Sequence, residues 1–310
     1  MKKHQENYTP VLGLIPAIKL KESNTHNPWE FVNCESTVIK VMDLITVDGR
    51  RTNAMYDAII DSGGLHDYFD WQGPFILSSI APDKTIRGLV PEMYSDIITS
   101  TGADYYLTPD GETYLNDKNR LSFSEIGRVV EETNYLIDST PSTPIGLVKG
   151  TNPDQIVYHI DQLLELDINQ YCFHSSEFTR HNNCISVGIG QRLFEQIRIR
   201  VPYLIAYGVG TRKSIWQYRA ADAFVTQSHF TNRYNGYILK RGCSYKLPIH
   251  HPADRNSIMG NLIDIANSVE NLHKNQTTLD EFFTLTPEPY REFCLSRLSR
   301  NECLLKMGVK

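Results

Sequence analysis

Short apolar runs recur along this chain, and segments with helical spacing separate them. Two runs end most sharply: residues 59–64 stop at Asp-Ser-Gly-Gly, and residues 204–211 stop at Gly-Val-Gly-Thr. Each pattern predicts a buried strand that enters a tight turn. Strands that alternate with helices pair in parallel through right-handed crossovers. This alternation is the feature that limits the choice of fold most strictly.

Eight strands are predicted, with a short hairpin or insertion after the third. They lie at residues 9–19, 37–47, 54–61, 103–107, 144–148, 168–173, 202–207 and 221–226, and the hairpin at 74–80. Helices are predicted at 91–101, 122–137, 152–166, 187–200 and 212–220, and after the last strand at 258–272 and 289–305. The pattern predicts an α/β fold, a (β/α)8 TIM barrel with a short helical C-terminal extension. The predicted domains are the barrel at 1–235 and, packed on it, the helical extension at 236–310.

Composition narrows the class of protein. The 310 residues are 41% apolar, which is enough for a large core. The net charge is −5 and the pI about 6.1, so any contact with nucleic acid has to be a local basic patch. The six cysteines form no CxxC pair and no disulfide framework, which predicts reduced thiols in a cytoplasmic protein. No signal peptide or membrane-spanning run is evident, so no membrane partner is expected.

Candidate site residues follow the predicted strands. They are Asp61, Ser62, Gly63, Gly64, Asp110, Lys149, Gly150, His174, Ser175, Ser176, Gly208, Gly210 and Asp222. A barrel brings strand ends onto one face. Two carboxylates there suit a reaction at a sugar, one as nucleophile and one handling protons. Glycines let a flat heterocycle approach the backbone. Each aspartate alone is equally typical of a turn.

Six of these motifs, taken in order, resemble the tRNA-guanine transglycosylase family, (β/α)8 enzymes that exchange a guanine base for a 7-deazaguanine. The segments that carry the resemblance are 61–64 (DSGG), 102–110 (GAD…D), 146–150 (GLVKG, for GIVQG), 171–176 (YCFHSS, for a YAIGG-like strand), 208–211 (GVGT) and 221–224 (ADAF, for VDMFD). Together they cover roughly residues 9–235.

The resemblance implies a role for each matched residue. It implies that Asp61 is the general acid/base, that Asp110 reads the guanine edge and that Lys149 replaces a glutamine that binds the base. Ser175 and Ser176 stand in the place of glycine-rich contacts to the base carbonyl. The nucleophilic aspartate of the family falls on Val225 in the ungapped register, and Asp222 matches an earlier aspartate. The nucleophile is therefore Asp222 in a shifted register, a group elsewhere, or absent from an inactive homologue.

Two further departures from the pattern of the family concern the substrate. The CxCxxC…H zinc motif of tRNA-acting members is missing, because Cys243, His250, His251, Cys294 and Cys303 lack that spacing. No cofactor is therefore expected, with zinc as the alternative. The missing motif and the short tail resemble the divergent branch of phages and bacterial genomic islands, which inserts preQ0-type bases into DNA. The predicted nucleic-acid contacts are Arg212, Lys213, Arg233, Lys240 and Arg241.

The leading hypothesis is thus a DNA guanine transglycosylase that works through a covalent Asp–sugar intermediate. Its partners would be DNA, guanine and a 7-deazaguanine, and its location the cytoplasm, or the host cytosol for a phage protein. One alternative is a tRNA-guanine transglycosylase without zinc. The other is a non-catalytic subunit that needs an active partner, and a homodimer stays open as well.

Overall fold

The computed structural model describes residues 9–20, 27–114, 118–175, 178, 184–241, 243–247 and 255–285. Eight parallel strands form one sheet in the order β1-β8-β7-β6-β5-β4-β3-β2. The strands are β1 (Gly13–Pro16), β2 (Thr37–Lys40), β3 (Phe75–Ser78), β4 (Tyr105–Leu107), β5 (Thr143–Val148), β6 (Gln170–His174), β7 (Tyr203–Tyr207) and β8 (Ala223–Thr226). A parallel bridge between Ala17 and Val38 joins the two ends of the sheet. The predicted (β/α)8 barrel is confirmed.

Helices connect the strands and follow the last one. They are α1 (Ala54–Asp61), α2 (Leu65–Phe69), α3 (Asp83–Ile86), α4 (Pro91–Thr101), α5 (Asn119–Ser139), α6 (Pro153–Glu165), α7 (Cys184–Arg198), α8 (Arg212–Gln217), α9 (Ser228–Tyr234) and α10 (Arg255–Leu285). Among the described residues no helix has the length and apolar character needed to cross a membrane.

The third predicted strand is wrong, because residues 54–61 form helix α1. The Asn53 side chain caps this helix by accepting hydrogen bonds from the backbone N–H groups of Met55 and Tyr56. The true third strand is β3, which lies inside the segment predicted as a hairpin or insertion. All four residues of β3 are buried, as in a strand covered on both faces. The number of strands is confirmed, but the third one moves by some 20 residues.

The interior of the barrel is filled with apolar side chains from every strand. This cluster includes Ile15, Val38, Ile76, Leu107, Ile145, Leu147, Cys172, Ile205 and Val225. The segment before β1 covers the amino end of the barrel. There Val11 exchanges two backbone hydrogen bonds with the Gln170 side chain, at 3.1 and 2.7 Å, and the Tyr105 hydroxyl donates to the carbonyl of Thr9 at 2.8 Å.

An antiparallel hairpin, β9 (Tyr237–Lys240) and β10 (Cys243–Lys246), follows α9. The sequence analysis predicted only helices in this extension, so the hairpin is an addition. The helix predicted at 258–272 is confirmed within α10, whose Asn261 accepts a hydrogen bond from the backbone of Leu239 at 2.6 Å. The helix predicted at 289–305 lies outside the described residues. The chain divides into two compact units after Val269, and the boundary predicted at residue 235 stays a prediction.

Candidate active site

A buried ion pair lies at the carboxyl end of the barrel. Asp110 follows β4 and Lys149 follows the neighbouring strand β5, so the two side chains share one edge of the sheet. Lys149 Nζ lies 3.0 Å from Asp110 Oδ1, and the side chains are only 3% and 6% exposed. The same oxygen accepts the backbone N–H of Gly111 at 2.8 Å. Buried charges are tolerated when they are paired in this way. The structure therefore brings together two residues that the sequence predicted for one site.

A buried histidine fixes the backbone of Lys149. The backbone N–H of Lys149 donates to His159 Nδ1 on α6 at 2.9 Å. Burial, together with the positive charge of Lys149, lowers the pKa of His159 to about 4. The ring is therefore neutral at pH 7, with Nδ1 as acceptor. Gly150 follows with φ at +139°, and a side chain there would press on Gln155, so glycine is required where the chain turns into α6.

Tyr207, the last residue of β7, places a hydroxyl at the same end of the barrel. Ser78 Oγ at the end of β3 donates to this hydroxyl at 3.3 Å. Burial raises the pKa of Tyr207 well above its usual range, and the negative charges of Asp110 and Asp43 add to the rise. The phenol therefore stays protonated and able to donate a hydrogen bond.

The end of β6 packs against Tyr207 at the carboxyl end of the barrel. The His174 ring meets the Tyr207 ring edge-on with centroids 5.4 Å apart. Ser175 Oγ donates to the backbone carbonyl of Tyr207 at 2.7 Å. Both residues are buried, so they shape the mouth of the barrel. Ser176 lies outside the described residues.

Asp43, Ser78 and Tyr207 are buried residues at the carboxyl end of the barrel that the sequence analysis missed. Asp43 closes a short turn that follows β2, and it is 7% exposed. The predicted strand at 37–47 ran through this turn and hid a carboxylate at a strand end. Ser78 was hidden because β3 was taken for an insertion. A strand that stops at Lys40, followed by an aspartate three residues later, is the signal that could have found Asp43.

The expectation that Asp61 lies in this pocket is wrong. Asp61 is an exposed residue at the C-terminus of α1. Five residues later, His66 Nε2 lies 3.2 Å from Oδ2 of Asp104, which precedes β4. Asp61 therefore belongs to the amino end of the barrel, because α1 runs opposite to the strands. Its neighbours Ser62, Gly63 and Gly64 lie there too, in the connection to α2.

The expectation for Asp222 is also wrong. Asp222 stands before β8 rather than at its end, and its Oδ2 accepts the backbone N–H of Leu204 at 2.7 Å. Arg198 Nη2 lies 3.4 Å from the other oxygen. These partners fix Asp222 at the amino end of the barrel. Val225, in the place of the family nucleophile, belongs to the apolar interior.

The glycines after β7 shape a close turn. Gly208 has a φ of +86°, and its N–H donates to the carbonyl of Val225 at 2.9 Å. Gly210 packs so closely on Ser228 that a Cβ would overlap its side chain. Both stand at the carboxyl end, as predicted, and link β7 to α8.

Four of the five basic residues predicted to contact nucleic acid are exposed, and the fifth is buried. Arg212 and Lys213 are exposed at the start of α8, on the side of the site, and Lys240 and Arg241 are exposed where β9 turns into β10. Arg233 is different: it is 3% exposed, and its Nε donates to Ser257 Oγ at 2.6 Å. The prediction that Arg233 contacts nucleic acid is therefore wrong, because its side chain is buried against α10.

The described part of the chain contains no group of three or more His, Cys, Asp or Glu side chains suited to holding a metal ion. His250, His251, Cys294 and Cys303 lie outside that part, so the expectation about zinc stays a prediction.

No model of a known protein family matches the chain, and no curated protein matches its sequence. The resemblance to the transglycosylases therefore rests on the motifs alone. Two of those motifs, DSGG and ADAF, lie at the amino end of the barrel, whereas those that contain Asp110, Lys149 and Gly208 lie at the carboxyl end.

Proposed function

We propose that the protein binds a guanine-type base at the carboxyl end of the barrel and exchanges it in a nucleic acid, with DNA as the substrate. The observation that carries this proposal is the buried pair of Asp110 and Lys149. A carboxylate accepts hydrogen bonds from the amino group and ring N–H of guanine, and an ammonium donates to its carbonyl oxygen. No described residue donates to Asp110 Oδ2, so this oxygen is available to such an edge.

Base exchange sets a clear chemical demand. A nucleophile has to attack the sugar carbon while the guanine leaves, and the incoming base then reverses the step. The target base also has to leave the helix, so a flipped or single-stranded substrate is required. Arg212 and Lys213, exposed beside the site, supply positive charge for the phosphate backbone.

The second candidate is a non-catalytic subunit that binds a base and needs an active partner. The observation that favours it is the position of Asp61 and Asp222, which both lie at the amino end. In this case Asp110 and Lys149 keep their recognition role, but the chain performs no chemistry on the sugar.

Two measurements on the full chain test these proposals. Calorimetry with guanine and preQ0, and with adenine as the control base, measures binding. The variants Asp110→Asn and Lys149→Met should weaken binding at least tenfold, and Asp222→Asn should not. If the wild-type protein binds neither guanine nor preQ0, the proposal fails.

Incorporation of radiolabelled guanine or preQ0 into DNA and, separately, into tRNA measures exchange. Label in DNA supports the leading proposal. Label in tRNA alone moves the substrate to RNA. Base binding without label in either polymer supports the non-catalytic subunit.

A further inference from the structure

The short loop that carries Asp110 is packed against helix α5. Gly111 has no side chain, and a Cβ there would lie 2.9 Å from Cγ2 of Val129 and 3.3 Å from Cγ of Glu125. The backbone of the loop therefore touches the helix, and a larger residue in place of the glycine would push it away. The position of Asp110 thus depends on α5.

Two hydrogen bonds fix the loop to α5, one on each side of its glycine. Arg128 Nη2 donates to the backbone carbonyl of Asp110 at 3.2 Å. The backbone N–H of Glu112 donates to Glu125 Oε1 at 3.0 Å. Because Arg128 and Glu125 lie one turn apart, the same stretch of helix anchors both bonds. The backbone of Asp110 is therefore held by α5, while its side chain is held by Lys149.

Arg128 is held in turn by two glutamates of its own helix. Its Nη2 and Nε donate to Oε1 and Oε2 of Glu125, at 2.6 and 3.1 Å, and its Nη1 donates to Glu132 at 2.5 Å. A guanidinium presents its donors in a rigid planar fork, so carboxylates on two sides of it fix the whole plane. They thereby aim the Nη2 group that reaches the carbonyl of Asp110.

The guanidinium of Arg128 lies beside the recognition carboxylate. Arg128 and Glu132 line one cleft together with Asp110. Ser79, which follows β3, lines the same cleft, so the cleft lies at the carboxyl end of the barrel. The side chain of Arg128 is 36% exposed and that of Asp110 is 6% exposed. A change at Arg128 therefore acts next to the place where we propose that the base binds.

Recognition of guanine by a carboxylate makes a strict demand on position. The carboxylate has to meet the 2-amino group and the ring N–H together, and such a contact needs a group held within about 0.5 Å. Hypoxanthine has the same ring N–H and carbonyl but lacks the 2-amino group. The preference for guanine over hypoxanthine is therefore the contribution of the contact to the 2-amino group, and it falls when the carboxylate is displaced.

We propose that Arg128 is a positioning residue that sets the specificity of the site for guanine-type bases, an inference that rests on the proposed function. It acts through the backbone of Asp110 rather than by contact with the base. Without Arg128, the pair of Asp110 and Lys149 remains, so the carboxylate keeps its charge but loses its fixed place. Binding then weakens, and the preference for the 2-amino group weakens with it.

Equilibrium dialysis of the full chain with radiolabelled guanine and hypoxanthine measures both affinities. We expect the wild-type protein to prefer guanine at least tenfold, and Asp110→Asn to bring this ratio close to one. Arg128→Met should weaken guanine binding at least fivefold and lower the ratio at least threefold. A loss of folded protein weakens both bases equally. An unchanged ratio in Arg128→Met therefore overturns the inference and makes Arg128 a structural residue only.

The variant Arg128→Lys separates position from stability, and it replaces Arg128→Met if that variant does not fold. The lysine keeps a positive charge between Glu125 and Glu132, but its single nitrogen cannot reach both of them and the carbonyl of Asp110 together. We expect its midpoint of urea unfolding to stay close to that of the wild type while the ratio falls at least threefold. A lysine variant with the wild-type ratio overturns the role of the guanidinium.

Arg87→Met is the matched control, because it removes another arginine that holds the same loop. Arg87 donates to both carboxylate oxygens of Glu112 at 2.5 Å, and its side chain is 69% exposed. A pair so exposed contributes little to order, and it does not involve the backbone of Asp110. Both affinities should stay within twofold of the wild type. A fall of the ratio as large as in Arg128→Met would assign the effect to the loop as a whole and overturn the inference.

The outcomes separate this inference from the proposed function. A preference for guanine that Asp110→Asn abolishes and both Arg128 variants keep overturns the inference alone. Equal binding of guanine and hypoxanthine by the wild-type protein overturns it together with the recognition role of Asp110. A wild-type protein that binds neither base removes the proposed function as well.

Discussion

Asp104, which precedes β4, and Asp222, which precedes β8, each make the same three hydrogen bonds to the backbones of the neighbouring strands. Each side chain accepts a backbone N–H near the start of the preceding strand, from Phe75, the first residue of β3, at 2.8 Å and from Leu204, the second residue of β7, at 2.7 Å. The backbone N–H of each aspartate donates to the carbonyl of that same residue, at 3.0 and 2.9 Å. Each backbone carbonyl accepts from the strand on the other side. These aspartates therefore join three strands at the amino end, and their recurrence before β4 and β8 has a structural cause.

We expect Asp222→Ala to lower the free energy of unfolding by about 1–3 kcal/mol, because the N–H of Leu204 loses its side-chain partner. Asp104→Ala should cost a similar amount for the same reason at Phe75. Urea denaturation measures both changes. Guanine binding should be unchanged in either variant, and a loss of binding with unchanged stability would contradict the structural role.

We expect Asp61→Ala to leave stability unchanged or raise it by about 0.3–1 kcal/mol. Asp61 is exposed at the C-terminus of α1, where a negative charge opposes the helix dipole. Asp61→Asn, which removes the charge but keeps the shape, should have the same effect. Thermal or urea unfolding at low salt measures it. A large loss of label incorporation in either variant would return Asp61 to the active site.

Much of the barrel could be predicted from the sequence, because five of its strands, β4 to β8, are buried apolar runs bounded by turns and separated by amphipathic helices. The segment 54–61 was predicted as a strand because Ile59 and Ile60 are adjacent apolar residues, whereas the cap at Asn53 starts a helix. Because that segment was counted as the third strand, the segment that contains β3 was predicted as a hairpin or insertion.

The site was predictable only where the strands were. Asp110 and Lys149 were found because β4 and β5 end where the apolar runs end. Asp222 was placed wrongly because the sequence alone does not show whether an aspartate next to a short apolar run precedes or follows the strand. Contacts such as Ser78 to Tyr207 join residues 129 positions apart, and no local pattern records such a pairing.

Removing one partner of the Asp110–Lys149 pair should cost far more than removing both. We expect Asp110→Asn or Lys149→Met alone to lower the free energy of unfolding by about 3–5 kcal/mol, since each leaves a buried charge without its counter-ion. The double variant should be more stable than either single one. A double-mutant cycle by urea denaturation measures the coupling. Additive losses would show that the two charges act independently.

The stability of the protein should fall as the pH drops from about 6.5 to about 4, and His159 should account for about 3 kcal/mol of the change. His159 is wholly buried, and burial lowers its pKa to about 4 in the folded protein. The unfolded chain has an ordinary histidine, so it binds the proton first as the pH falls. Each step down in this window therefore favours unfolding, and below about 4 the contribution of His159 becomes constant.

The variant His159→Gln isolates this contribution. Its amide oxygen can still accept the N–H of Lys149, but the side chain does not titrate. Urea denaturation of both proteins between pH 4 and pH 7.5 gives two curves, and their difference removes the carboxylates that titrate in the same range. We expect the variant to be less stable at pH 7.5 and to close the gap with the wild type as the pH falls. Parallel curves would mean that folding does not change the pKa of His159, which would contradict its burial as a neutral ring.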